Sequence, residues 1–188
     1  WGTSTMRNGG EDIGQALALL GVRPVWDGPS RRLVDLELIP LSALGRPRVD
    51  VTLRISGLFR DAFPQLVAWV NRATALVAAA DESAEENPLA KAAQRDGHAW
   101  RVYGSAPGAY GAGLQALIDS GDWEGRGDLA EAYLNWGSWR YEGDGTGALR
   151  IASDRDGFQQ RLSSVQVVLQ NQDNREHDIL DSDDYFQF

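Results

Sequence analysis

Residues 49–80, VDVTLRISGLFRDAFPQLVAWVNRATALVAAA, decide the fold class, because the hydrophobic period changes within them. Val49, Val51, Leu53 and Ile55 alternate with Asp50, Thr52 and Arg54, the period of two that belongs to a half-buried strand. From Phe63 to Ala80 the apolar positions Phe63, Leu66, Val67, Val70 and Val77 follow a helical repeat instead. Pro64 falls in its first turn, where the missing N–H breaks no hydrogen bond. A strand that feeds an amphipathic helix is the building unit of an α/β layered domain.

The flanking sequence extends this pattern. Upstream, Ile13, Ala16, Leu17 and Leu20 stand at i, i+3, i+4 and i+7, and Gly21 sits where a helix-ending glycine belongs. Val22–Trp26 reads as a short strand that Pro24 confines to an edge or a strand start, followed by an Asp27-Gly28 turn. Val34, Leu36 and Leu38 against Asp35 and Glu37 form another alternating strand. Downstream, the acidic DESAEENP of residues 81–88 is a loop, and Ala99–Tyr103 a short strand leading into the glycine-rich run 104–113. A helix using Leu114, Leu117 and Ile118 follows, then one capped by Asp128 with Leu129, Ala132, Tyr133 and Trp136 on one face. A short helix around Phe158–Leu162 and a last strand through Val165, Val167 and Leu169 complete the series. The pattern predicts a single α/β domain over residues 1–188, with a mixed, mainly parallel sheet that carries an antiparallel edge and is flanked by helices.

Composition narrows the function. A net charge of −9 disfavours partners whose affinity rests on phosphate neutralisation, so nucleic acid and anionic membrane surfaces are poor candidates. The longest apolar runs, such as Ala75–Ala80, fall far short of the ~18 residues a membrane span needs, and the chain reads as soluble and cytoplasmic. With no cysteine there are no disulfides, thiolate nucleophiles or zinc–thiolate sites. The sequence starts at Trp1 without an initiator methionine and closes on Phe188 within an aromatic pattern, so a piece of a larger protein is expected.

Four groups of residues could carry chemistry. In NQDNREHDILDSDDYFQF, residues 171–188, six carboxylates and His177 are interleaved with Ile179, Leu180, Tyr185, Phe186 and Phe188, unlike a purely solvating tail. On a helix, Asp173, His177 and Asp181 fall at i, i+4 and i+8 and would present oxygen, imidazole nitrogen and oxygen in one stripe, a donor set for a borderline divalent cation. His177, Asp181 and Asp184 are the candidate catalytic residues, and Glu176, His177, Asp178 and Asp181 the candidate metal ligands. Within the glycine run, Gly104, Gly108, Gly111 and Gly113 are candidate binding positions, because backbone N–H groups before a helix favour a phosphate or carboxylate; the same glycines equally suit a tight turn. Trp123, Trp136, Trp139 and Tyr141 line either a pocket for a flat ligand or the core. Arg54, Arg60 and Asp61 form either a carboxylate clamp or ordinary strand-end ion pairs, and His98 a surface or hydrogen-bonded histidine.

No Walker A, Gly-x-Ser-x-Gly or His-Glu-x-x-His arrangement occurs. The blocks WGTSTMRNGGEDIGQALALLGVRPVWD, GRPRVDVTLRISGLFRDAFPQL, RVYGSAPGAYGAGLQALID, GDLAEAYLNWGSWRY and QNQDNREHDILDSDDYFQF, in this order, resemble the large subunit of cobaltochelatase, in the family that joins CobN with the H-type large subunits of magnesium chelatase. The resemblance implies a tetrapyrrole-binding subunit that inserts a divalent metal, with ATP and Mg2+ used by separate AAA+ ATPase and adaptor subunits. GAYGAGLQ is the cobalt-type form of the glycine loop, and Asp184 precedes Tyr185-Phe186 where the magnesium branch usually carries histidine. The resemblance therefore implies Co2+ as the substrate metal and a corrin precursor such as hydrogenobyrinic acid a,c-diamide as the macrocycle. The family's upstream HGTLEW-type block is absent, so a C-terminal fragment that works with the rest of the large subunit is expected. Alternatives from the same residues are a magnesium chelatase H-type protein inserting Mg2+ into protoporphyrin IX and a non-catalytic tetrapyrrole or metal carrier. A stand-alone carboxylate-metal hydrolase would need a second ligand cluster that the sequence does not offer.

Overall fold

The computed structural model describes residues 3–111, 113–143 and 148–169. The chain begins with α1 (Thr3–Arg7) and α2 (Glu11–Leu20), whose Ile13, Ala16, Leu17 and Leu20 are buried as the helical repeat demands. Gly21 closes α2 in the left-handed region at φ 73°, and its N–H reaches back to the Ala18 carbonyl. β1 (Val22–Trp26) and β2 (Leu33–Leu38) form an antiparallel ribbon of their own, which places Pro24 on an edge as expected. Its register slips at Trp26, which faces Leu33, so Val34 is the extra residue of a β-bulge. The bulge explains why Leu33, Leu36 and Leu38 face the core while Val34 is exposed.

After α3 (Leu41–Leu44) the chain enters β3 (Leu53–Ile55), only the last three residues of the expected strand. The preceding residues 49–52 join no sheet, and Asp50 turns its carboxylate onto Arg101 and Arg161, at 2.5 and 2.9 Å. Then come α4 (Gly57–Ala62), capped by Ser56, and α5 (Pro64–Ala78), with Pro64 in its first turn and Val67, Val70, Ala73 and Val77 buried. Part of the acidic stretch 81–88 serves a helix that the sequence reading missed: Asn87 caps α6 (Pro88–Asp96), accepting from Ala90 N at 2.9 Å.

β4 (Val102–Gly104) pairs parallel with β3 and antiparallel with β5 (Trp139–Gly143), and β5 pairs antiparallel with β6 (Leu149–Ser153). The mixed sheet flanked by helices is present as expected, in the order β3-β4-β5-β6, but it is mainly antiparallel and not mainly parallel: only β3 and β4, joined through helices, run parallel, while β4-β5 and β5-β6 are antiparallel. The parallel pair is joined by the long crossover through α4, α5 and α6, whereas β5 and β6 follow each other closely, as antiparallel neighbours can. Between β4 and β5 lie α7 (Gln115–Ser120) and α8 (Arg126–Gly137); α9 (Arg155–Ser163) follows β6. Asp128 does cap α8, but from its third position, accepting from Glu124 N at 2.8 Å and Gly125 N at 3.2 Å.

β4 separates two cores. Val102 points into the main cluster with Leu53, Ile55, Val67 and Val70, while Tyr103 points the other way, stacking on Phe158 at 5.0 Å beside Leu134. The sheet thus has α5 on one face and α8 with α9 on the other. Val165–Leu169, expected as a strand, makes no strand pairing among the described residues and leaves Val167 and Val168 exposed. No helix among the described residues is long and apolar enough to cross a membrane.

Candidate functional site

From the end of β4, residues 105–111 of the glycine run are held by side chains from distant parts of the chain. Arg60 of α4, 5% exposed, donates from Nη1 to the carbonyls of Ala106 and Ala109 at 2.8 and 3.2 Å. Its remaining donors, Nε and Nη2, grip both oxygens of Asp61 at 2.6 and 2.8 Å. The fork raises the Arg60 pKa further and holds the Asp61 carboxyl below the usual carboxylate range. Arg60 and Asp61 are therefore an internal ion pair that organises the loop.

Three further donors fix the loop. Tyr141 OH donates to Ser105 O, Ser105 Oγ donates to Ala109 O at 2.7 Å, and Trp136 Nε1 donates to Gly111 O at 2.9 Å. Arg54 Nη2 reaches Gly111 O at 3.4 Å, with its guanidinium 5.6 Å from the centre of the Tyr133 ring. Burial lowers the Arg54 pKa, since a guanidinium out of water is less readily charged. Tyr110 OH donates to Asp61 Oδ2 at 2.7 Å, an interaction that raises its own pKa because the neighbouring carboxylate opposes a phenolate.

The four candidate glycines divide into two kinds. A Cβ at Gly104 would stand 2.8 Å from Ile55 O, and one at Gly113 2.5 Å from Trp136 Cγ, so both positions are needed for close approach. Gly108 and Gly111, at φ 77° and 76°, have open space where a side chain would be. The helix behind the loop, α7, has six residues and no side-chain cap, so little macrodipole stands behind an anion there. The loop's character comes instead from its inward-held carbonyls and its flanking rings, Tyr110 and Trp136.

The other candidates disperse. Tyr141 is buried and Trp139 packs on the main core, whereas Trp123 and Trp136 are 40% and 37% exposed, so the aromatic cluster of the sequence is split between core and surface. His98 stacks on Trp100 at 4.1 Å, and Arg140 lies 3.4 Å from the centre of the Trp100 ring. His98 and Trp100 border a cleft of about 410 Å³ also lined by Asn71, Thr74, Glu142 and Arg150. Burial lowers the His98 pKa. Among the described residues no group of three or more His, Cys, Asp or Glu side chains could hold a metal ion. Glu176, His177, Asp178, Asp181 and Asp184 lie outside the described residues. The sequence reading had missed Tyr110; its signal is an aromatic residue set alone in a run of glycine, alanine, serine and proline.

The family model described as CobN/Magnesium Chelatase matches residues 1–188. The chain belongs to the CobN/magnesium chelatase family. It is 53% identical over its whole length to the aerobic cobaltochelatase subunit CobN of Pseudomonas aeruginosa, spanning 16% of that protein. Against the H subunit of magnesium chelatase from Rhodobacter capsulatus the identity is 36%, over 99% of the chain and 16% of that protein. The catalytic subunit of cobaltochelatase from Mycobacterium tuberculosis has the same fold, with a TM-score of 0.91 and 49% identity covering all of this chain and 16% of that one. This CobN/magnesium chelatase domain thus corresponds to about a sixth of the length of such relatives.

Proposed function

We propose that the chain is part of the tetrapyrrole-binding large subunit of an ATP-dependent cobaltochelatase, which inserts Co2+ into a corrin precursor, hydrogenobyrinic acid a,c-diamide. The observation that carries this reading is the gradient of identity: 53% and 51% to two CobN subunits, against 36% and 33% to two large subunits of magnesium chelatase. The AAA+ ATPase and adaptor subunits supply the ATP-driven step, and the rest of the large subunit completes the site.

A corrin ring carries one ionisable inner N–H, so insertion of one divalent cation releases that proton, leaves a singly charged metal complex and strips water from the metal. Carboxylates and imidazole suit both tasks. On this reading His177, Asp181 and Asp184 accept protons or deliver the cation, with Glu176 and Asp178 beside them. On the same reading the glycine loop, tied at Ala106 and Ala109 by Arg60 and at Gly111 by Trp136, faces the macrocycle where Gly108 and Gly111 leave room.

The test is a replacement of the corresponding segment of Pseudomonas aeruginosa CobN by this chain, assayed with the partner subunits. Cobalt insertion into hydrogenobyrinic acid a,c-diamide at a rate close to that of the parent is expected. A chimaera that inserts Mg2+ into protoporphyrin IX and leaves the corrin precursor untouched would overturn the assignment.

A further inference from the structure

Tyr110 and Trp136 are aromatic rings fixed in place yet left uncovered. Tyr110 directly precedes Gly111, and Trp136 donates its indole N–H to the Gly111 carbonyl at 2.9 Å, so the two rings flank one turn of the loop. Each fills the space in which a glycine lacks a side chain. A Cβ on Gly57 would stand 2.7 Å from Tyr110 Cδ1, and a Cβ on Gly113 would stand 2.5 Å from Trp136 Cγ. Each ring also has its polar head tied down, Tyr110 to Asp61 and Trp136 to Gly111. With all these anchors, Tyr110 remains 60% exposed and Trp136 37%.

Aromatic rings recruited for packing alone end up covered, because burial of their area is what stabilises the fold. Here the chain uses two glycines and two hydrogen bonds to hold rings that it does not itself cover, Tyr110 mostly and Trp136 in part. Rings that have lost their rotamer freedom in advance bind a flat partner with less entropic loss. Arg60, itself paired with Asp61, lies over the Tyr110 ring at 5.4 Å from its centre and backs it. We infer that Tyr110 and Trp136 form a stacking platform for the face of the tetrapyrrole macrocycle. This rests on the reading of the chain as part of a tetrapyrrole-binding subunit, and it assigns that binding to two residues. A conjugated macrocycle matches the platform because it offers one rigid face broad enough to lie on both rings in offset stacking.

The test uses the full-length protein with Tyr110→Phe, Tyr110→Leu, Trp136→Phe and Trp136→Leu, and equilibrium dialysis of hydrogenobyrinic acid a,c-diamide. The phenylalanine variants keep a ring and should bind within about twofold of the parent, whereas each leucine variant keeps apolar bulk without a π face and should bind about tenfold more weakly. Parent-like affinity in both leucine variants would overturn the platform and mean that another segment of the protein covers the rings. Equal loss in the phenylalanine and leucine variants would also overturn it, by showing that the polar anchors matter and the ring faces do not. Should Trp136→Leu fail to fold, the Tyr110 pair decides on its own, since a residue so exposed contributes little to the core. A parent protein that does not retain the tetrapyrrole at all would sink the proposed function itself, an outcome distinct from parent binding that survives both leucine changes.

Discussion

Gly113→Ala and Gly108→Ala place the same methyl group on two glycines with almost the same backbone, φ 76° and 77°, and should differ severalfold in cost. Both force an L-residue into the left-handed region, roughly 1–2 kcal/mol. At Gly108 nothing lies within 4 Å of the new carbon, so the strain is the whole effect. At Gly113 the methyl would meet Trp136 Cγ at 2.5 Å and Cδ2 at 2.6 Å, which adds about 1–3 kcal/mol of overpacking. Moving the indole also breaks its bond to Gly111 O, about 0.5–1.5 kcal/mol more. The total at Gly113 is about 2.5–6.5 kcal/mol, read by urea unfolding of the 188-residue chain followed by tryptophan fluorescence. The decisive arm is the double variant: in a Trp136→Ala background the clash has gone, and Gly113→Ala should cost only the roughly 1–2 kcal/mol of backbone strain. Equal costs at the two glycines, or an undiminished cost at Gly113 once Trp136 is alanine, would refute the idea that the indole and the loop backbone occupy each other's space.

Three further outcomes are expected. Asp50→Asn removes the carboxylate shared by the buried guanidiniums of Arg101 and Arg161; Arg161 keeps Asp96 at 2.9 Å, so the loss should sit near the lower end for a broken buried pair, about 3 kcal/mol, and lower the Tm by roughly 6–12 °C. A drop under about 2 °C in a thermal scan would contradict this. His98, with an ordinary value of 6.5, and Glu82 and Asp96 all have lowered pKa values in the folded chain, so the folded form binds fewer protons than the unfolded one. Their contribution is fully present above the unfolded pKa values and is lost as pH falls, first below 6.5 for His98 and then through the carboxylate range. Urea midpoints should decline between about pH 7 and 5 in the parent and less steeply in His98→Gln; identical slopes would assign the decline elsewhere. In the tail, His177→Ala and Asp184→Ala in the full-length protein should cut cobalt insertion strongly and spare tetrapyrrole binding, and parent-like insertion rates in both would leave the tail a solvated or docking segment.

What could be read from the sequence was whatever depends on near neighbours. The repeat in α2 and α5 and the left-handed glycine behind α2 follow from local period and backbone sterics, and both are where the pattern puts them. Alternation alone was less reliable, because it gives the shape of a strand without its partner. Val165, Val167 and Leu169 alternate as well as any strand here yet pair with none among the described residues, and Val34 lost its inward place to a bulge that only the β1 register creates. β5 was overlooked for the opposite reason: Trp139 and Tyr141 alternate with Arg140 and Glu142, but reading the aromatics as one cluster hid the period of two.

The site shows the same division at the level of single atoms. Sequence marks the run 104–113 as a place where the backbone must bend or come close to something, and it marks Arg60 and Asp61 as part of a carboxylate clamp or as a strand-end ion pair. It does not say that the pair and the run belong together, since Arg60 meets Ala106 and Ala109 across 46 and 49 residues of chain. Once that contact is known, the glycines stop being equivalent. Gly104 and Gly113 are small because a strand carbonyl and an indole need their space, so they define where the loop stands; Gly108 and Gly111 are small with nothing pressing on them, so they define where something else has room. A substitution series confined to the second pair therefore probes ligand access, provided the strain common to both positions is subtracted. Asparagine at residue 108 or 111, which tolerates positive φ better than alanine, performs that subtraction. It should leave the unfolding midpoint nearly unchanged while weakening tetrapyrrole binding in the full-length protein. A loss of stability matching that of Gly113→Ala, with binding intact in what remains folded, would return the whole loop to a purely architectural role.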